Sequence, residues 1–315
     1  MMCLLAACSG APAPARSRTE AEVRAAIEPP GWDALPARAR PLVPPGPPSA
    51  AADLAAAHAI ARRHERAWGD RRRELKAAAS ASAPAASLAE FPEADAAIAG
   101  LMRWAAQRGS VPAIDPSDPD TMPGFNLAMV AIVTSDATRR DALLAAASYG
   151  ARLLTEGGTL IEGMLGLAIL RAAMERATAI GQPLPPEMAL PDDVITRMLA
   201  AEAAWGGDML AEQLSGAGSA RAFGAAPSTE REVVTMLASM RVRNEWWLAA
   251  LACAPRGSDR ATIARCFTVA PPASSTPVSA AVADPRADIQ PYVSKLATLL
   301  DDLHAHVATA APAPP

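Results

Sequence analysis

Lysine is almost missing: 315 residues include 27 Arg but only Lys76 and Lys295. Aromatic residues are scarce as well, 12 in the whole chain. With few aromatic and β-branched side chains there is little to build paired strands from, which argues against a β-sandwich or barrel. No run reaches the roughly 20 apolar residues that a membrane-spanning helix needs. The uncharged stretch Met122 to Ser135 is too short and holds Pro123 and Gly124, and the Leu160 to Leu170 run carries Glu162 and stops at Arg171. Neither sign of charge dominates. The formal net charge of −4 gives no electrostatic case for a nucleic-acid partner. The four cysteines, Cys3, Cys8, Cys253 and Cys266, form no CxxC pair, and none lies beside His58, His64, His304 or His306 in sequence, so no zinc pattern exists. GxSxG, SxxK and HExxH are missing, and Gly216-Ala217-Gly218-Ser219 lacks the Gly-Lys-Ser/Thr of a phosphate loop.

Three residue types are abundant: 78 Ala, 30 Pro and 19 Gly. Together with the Arg bias they suggest a GC-rich coding genome, so an Ala or an Arg cluster here carries less meaning than usual. The chain is long enough to bury a substantial core. Arg71-Arg72-Arg73 is interleaved with Glu65, Asp70 and Glu74, which reads as a balanced surface rather than a lipid-binding patch.

The amino terminus reads Met-Met-Cys-Leu-Leu-Ala-Ala-Cys-Ser-Gly and runs into Pro-rich sequence. Leu5-Ala6-Ala7-Cys8 resembles the lipobox of bacterial lipoproteins. That resemblance implies cleavage before Cys8, a diacylglycerol on its thiol, and membrane attachment through that lipid. Only seven residues, none of them basic, precede Cys8. A secretory signal has a basic region and an apolar segment of about 7–15 residues, so the reading places the rest of the signal upstream of Met1. If Cys3 is removed and Cys8 acylated, Cys253 and Cys266 are the remaining thiols. They stand 13 residues apart across a turn at Pro255-Arg256-Gly257 and are expected to form a disulfide in an oxidising compartment.

Residues 1–8 are thus a truncated signal segment. Residues 9–50, with Pro29-Pro30 and Pro-Leu-Val-Pro-Pro-Gly-Pro-Pro at 41–48, read as an extended tether unable to bury a core. Within it Glu20 to Ile27 can form one or two helical turns, and Trp32 is a candidate to dock on the domain. Residues 51–308 read as a helical domain, and 309–315 as a disordered tail. Leu54, Ala57, Ala61, His64, Trp68 and Leu75 share one helical face. Further helices are expected over Glu93–Gln107, from Asp136 to about Thr155, from Thr159 through Leu170, from Asp193 through Met209, from Ser228 or Thr229 through Leu251, over Asp259–Phe267, and over Ile289–Val307. The Leu160–Leu170 segment is apolar on nearly every face and so is expected at the centre of the fold. Gly163 and Gly166 inside it call for the close approach of a neighbouring helix backbone. The fold class is all-α, an irregular array of about seven to nine antiparallel helices with Pro-rich loops. This layout resembles uncharacterised Ala-rich helical envelope proteins of GC-rich bacteria, a likeness that implies no activity.

No catalytic residues and no cofactor emerge. Asp302 and His306 share a helix face and are weak metal candidates, with no further ligand in view. Asp115-Pro116-Ser117-Asp118-Pro119-Asp120 offers oxygen ligands but lacks the Gly and Glu of a calcium loop. In Asn244-Glu245-Trp246-Trp247, Trp247 fits the buried stripe while Trp246 points about a quarter-turn away, so Trp246 is a candidate binding patch against a core-filling alternative. The expected function is a lipid-anchored, extracytoplasmic, non-enzymatic binding or structural component at the outer membrane or in the periplasm, with an envelope protein as partner. The alternatives are an enzyme with a dispersed, metal-assisted site and a cytosolic helical adaptor.

Overall fold

A computed structural model describes residues 14–78, 85–112, 122–215, 229–255, 257–268 and 286–309. The chain is all-α. Among the described residues there are twelve α-helices, and the only strand-like pairing is an isolated bridge between Pro14 and Thr229. The helices are α1 (Glu20–Ile27), α2 (Leu35–Arg38), α3 (Pro48–Arg63), α4 (Glu65–Ala78), α5 (Ala94–Ala106), α6 (Met122–Val133), α7 (Arg140–Glu156), α8 (Leu160–Ala179), α9 (Val194–Ser215), α10 (Glu230–Cys253), α11 (Arg260–Cys266) and α12 (Arg286–Ala308).

That number exceeds the seven to nine expected, for three reasons. The stripe from Leu54 to Trp68 is split at His64, whose backbone leaves helical geometry. His64 is held there by Glu93 at 3.1 Å and stacks on Trp68. A second addition is α6, which forms over the apolar Met122–Val133 run where no helix is expected, and the others lie in the segment read as a tether. There α1 has a complete capping box, with Thr19 and Glu22 each receiving the other's backbone N–H. Pro36 lies in the first turn of α2 and Pro48 opens α3, positions where a missing N–H costs nothing. Residues 14–50 therefore form a folded strap rather than a free tether. Val23, Ile27 and Leu35 are fully buried and Trp32 is 6% exposed. The strap's Pro-rich end lies along the core as well: Leu42 N donates to Thr155 O, and Arg152 Nη1 donates to Pro44 O.

Two apolar cores result. The larger joins α3, α5–α9, α11 and α12 with parts of α2, α4 and α10, and the smaller gathers Val23, Ile27, Ala211, Val233, Leu237 and Met240 from α1, α9 and α10. At the centre of the larger one α7 and α8 share the most extensive contact of the fold. A Cβ on Gly166 would lie 2.6 Å from the Gly150 carbonyl oxygen, and one on Gly150 would lie 3.0 Å from the Gly166 oxygen. The two backbones meet there directly, as expected for Gly166. Gly163 differs: it makes room for side chains, Tyr292 and Met198, rather than for a backbone. The outer face of α8 is not covered by described residues, with Ile161 46% and Met164 56% exposed, so this helix is central on one side only.

Candidate functional site

Where α8 begins, the chain concentrates buried polar groups. Thr159 caps the helix, its Oγ1 accepting from Glu162 N at 3.2 Å while the Glu162 carboxylate takes Thr159 N at 2.8 Å and also Gly158 N. Glu202 reaches across from α9 and accepts Leu160 N at 2.8 Å. Both carboxylates face the positive end of the helix, where negative charge is favoured. Burial raises the Glu202 carboxyl above its ordinary range, against the lowering effect of the Leu160 N–H and of Arg243. The sequence flagged Glu162 only as an interruption of an apolar run. Its second use, as the cap of that run, lay in the Thr-x-x-Glu spacing.

Just before the Gly157–Thr159 connection, the carboxyl end of α7 meets Arg197 of α9. This side chain, 2% exposed, donates Nη1 to Leu154 O, Nη2 to Glu156 O at 2.5 Å and Nε to Ala39 O. It thereby satisfies carbonyls at the negative end of α7 and the end of α2 together. Desolvation pushes its pKa down to about 10. One helix away, Arg38 in the last turn of α2 donates Nη1 to Leu251 O at 2.7 Å. Between Arg38 and Arg197 lies a cleft of about 170 Å³, completed by Thr196, Leu251, Ala254 and Pro255. A wider, more open groove of about 580 Å³ is lined by Ala137, Arg140, Gln182 and three prolines of the 183–186 stretch.

The disulfide joins Cys253 to Cys266, with Cα atoms 5.6 Å apart. It ties the last residue of α10 to the last residue of α11 and so fixes the chain from which Ala254 and Pro255 form one wall of the cleft. Trp246 is not an exposed patch. It is 1% exposed and packs edge-on against Trp247 and Phe267, at 5.1 and 5.8 Å between ring centres. The quarter-turn offset is real on α10, but α11 covers that side, which a helical wheel of α10 alone does not reveal.

Asp302 and His306 do not make a metal site with other described residues. Asp302 is exposed, His306 Nε2 accepts the Leu184 N–H at 3.0 Å, and no group of three His, Cys, Asp or Glu side chains is placed to hold an ion among those residues. The other members of that run are also engaged: Arg260 pairs with Asp301, and His304 Nδ1 accepts from Arg260 Nη2 at 2.8 Å while its Nε2 donates to Leu190 O at 2.9 Å. Arg71 pairs with Glu90 and Glu74, and Arg73 with Asp70, as the interleaved charges implied. Cys8, the Asp115–Asp120 stretch and Gly216–Ser219 lie outside the described residues. No described helix is long and apolar enough to cross a membrane. Set against known proteins, the chain matches no family model, no curated protein and no solved structure.

Proposed function

We propose that this protein is a lipid-anchored extracytoplasmic component of the bacterial envelope, a non-enzymatic binding or structural protein built as an antiparallel helical array. The observation that carries the reading is the Cys253–Cys266 disulfide. Disulfides persist in oxidising compartments such as the periplasm and are rare in the cytosol, so the bond favours export over a cytosolic adaptor. The Leu-Ala-Ala-Cys sequence ending at Cys8 supplies the attachment. The binding or structural reading is supported by the use of the buried carboxylates: Glu162 and Glu202 are both committed to the start of α8.

Two measurements on one preparation test this. Expressed with its upstream in-frame codons, the protein should partition with membranes, and Cys8→Ala should release it into the soluble fraction. Unreduced protein from the envelope fraction should show Cys253 and Cys266 closed to alkylation. Membrane attachment that survives Cys8→Ala sinks the lipid anchor, and two alkylatable thiols sink the oxidising compartment.

A further inference from the structure

Arg38 and Arg197 both line one cleft, and among the described residues neither has a carboxylate within 4 Å, the Glu162 and Glu156 charges acting on Arg197 from farther away. By contrast Arg18, 7% exposed, pairs with Glu230, and Arg152 pairs with Glu156. A guanidinium carries five N–H donors. Arg197 gives three of them to the carbonyls of Ala39, Leu154 and Glu156, and Arg38 gives one to Leu251 O. Carbonyl oxygens solvate such a cation but do not neutralise it, and at the buried Arg197 the cost of desolvation outweighs the more distant Glu162 and Glu156 charges. An anion in the cleft would supply a closer counter-charge.

We propose that the Arg38–Arg197 cleft binds a small oxyanion, a carboxylate or phosphate group carried on a short carbon chain. The planar guanidinium fork matches either group with paired hydrogen bonds. A volume of about 170 Å³ equals about five to six water molecules at their liquid volume, more than the charged group alone requires. Leu251, Ala254 and Pro255 give the rest of the cleft an apolar lining suited to the attached carbons. Because Arg38 belongs to the strap and Arg197 to α9, the ligand joins the amino-terminal segment to the core. The proposal does not depend on a membrane anchor, since small oxyanions occur on both sides of a bacterial membrane.

Calorimetric titration of the full chain with inorganic phosphate and, separately, with succinate tests the site at constant ionic strength. The expected result is saturable binding of at least one probe, weakened 10-fold or more in Arg38→Ala. Arginine Nε–H NMR signals of the unaltered protein give a second readout. The saturating probe should move the signals of Arg38 and Arg197 and leave Arg66, which is fully at the surface, unmoved. Failure of both probes to bind overturns the proposal. So does equal binding by Arg38→Ala, or a response at Arg66 as large as at Arg197. A response to phosphate alone or succinate alone supports the site and identifies the preferred oxyanion.

Discussion

The α7–α8 pair and the amino-terminal strap are both buried, yet they are held in opposite ways. The helix pair closes through what is missing: Gly150 and Gly166 lack side chains, and the two backbones fill the space. The strap meets another backbone directly at Gly46, against Arg108–Ser110, but its helical part attaches by large side chains, Val23, Ile27, Trp32 and Leu35. Its unpaired carbonyls are satisfied from α10, where Asn244 Nδ2 donates to Ile27 O at 2.8 Å and Arg241 Nη1 to Glu28 O at 2.5 Å. The Gly150–Gly166 contact therefore tolerates no added atom, whereas the contact of α1 and α2 with the core tolerates no removed one. Large-to-small and small-to-large substitutions should separate the two regions cleanly.

The largest effect is expected on the strap. Ile27 is fully buried between α1 and α10, in the smaller core. Ile27→Ala should lower stability by about 3 kcal/mol, the usual cost of truncating a buried aliphatic side chain with partial collapse of the cavity. Urea denaturation followed by circular dichroism reads this directly. A free tether would show no change at all, so an unaltered midpoint removes the strap from the folded unit. The opposite change belongs to the core. Gly166→Leu should destabilise by about 2 kcal/mol, because the first added carbon already meets the Gly150 carbonyl and the remainder must displace Leu153 or Leu154. An unchanged or higher melting temperature would show that the two backbones are not in contact.

These two regions were also unequally legible in the sequence. The core helices announced themselves by apolar spacing and by caps: Thr159, Thr229 and Asp259 each receive the backbone N–H expected of an N-cap. Asp136 was a partial exception. It accepts from Thr138 N and Arg139 N, so it closes the turn before α7 and the helix starts at Arg140. The strap was read from its proline content, which describes a chain with nothing beside it. What that reading left out is that proline in a first turn begins a helix, and that four large apolar residues among the prolines need only a groove to bury them. The groove is made by α9 and α10, more than 150 residues later, and no local pattern encodes it. Arg38 and Arg197 were missed for the same reason: their meeting is a property of the packing. The arginine abundance of the chain hid them further.

The smallest of the expected effects asks whether acid weakens the core or the strap. Acid reaches the strap's ion pairs only at low pH, because the stability they contribute is kept down to the ordinary carboxylate range and lost as the pH falls below it. Glu230 holds Arg18 and Glu22 caps α1, and hydrogen bonding from these partners lowers both carboxyls below their ordinary range. The core holds a weaker point at His58 on α3, whose Nε2 is buried with no hydrogen-bond partner among the described residues and whose ring meets Tyr149 edge-on at 5.8 Å. Desolvation, and then the neighbouring Arg62 charge, push its pKa down to about 4. The unfolded chain binds this proton near pH 6.5 and the folded chain only near 4, so stability is complete above 6.5, falls as the pH drops between those values, and levels off below 4. By pH 5 the loss should be about 1–2 kcal/mol, part of the full shift being relieved by solvent near the ring. His306 acts with the same sign but is only half-buried, and its neutral Nε2 is needed to accept from Leu184 N. His58→Leu removes the larger contribution and leaves that of His306. Denaturation midpoints at pH 7 and pH 5 should therefore differ in the unaltered protein and nearly converge in His58→Leu. An Ile27→Ala background should keep the same pH difference, because the strap does not touch this histidine. A pH difference that persists undiminished in His58→Leu would move the acid-sensitive contact away from α3 and α7.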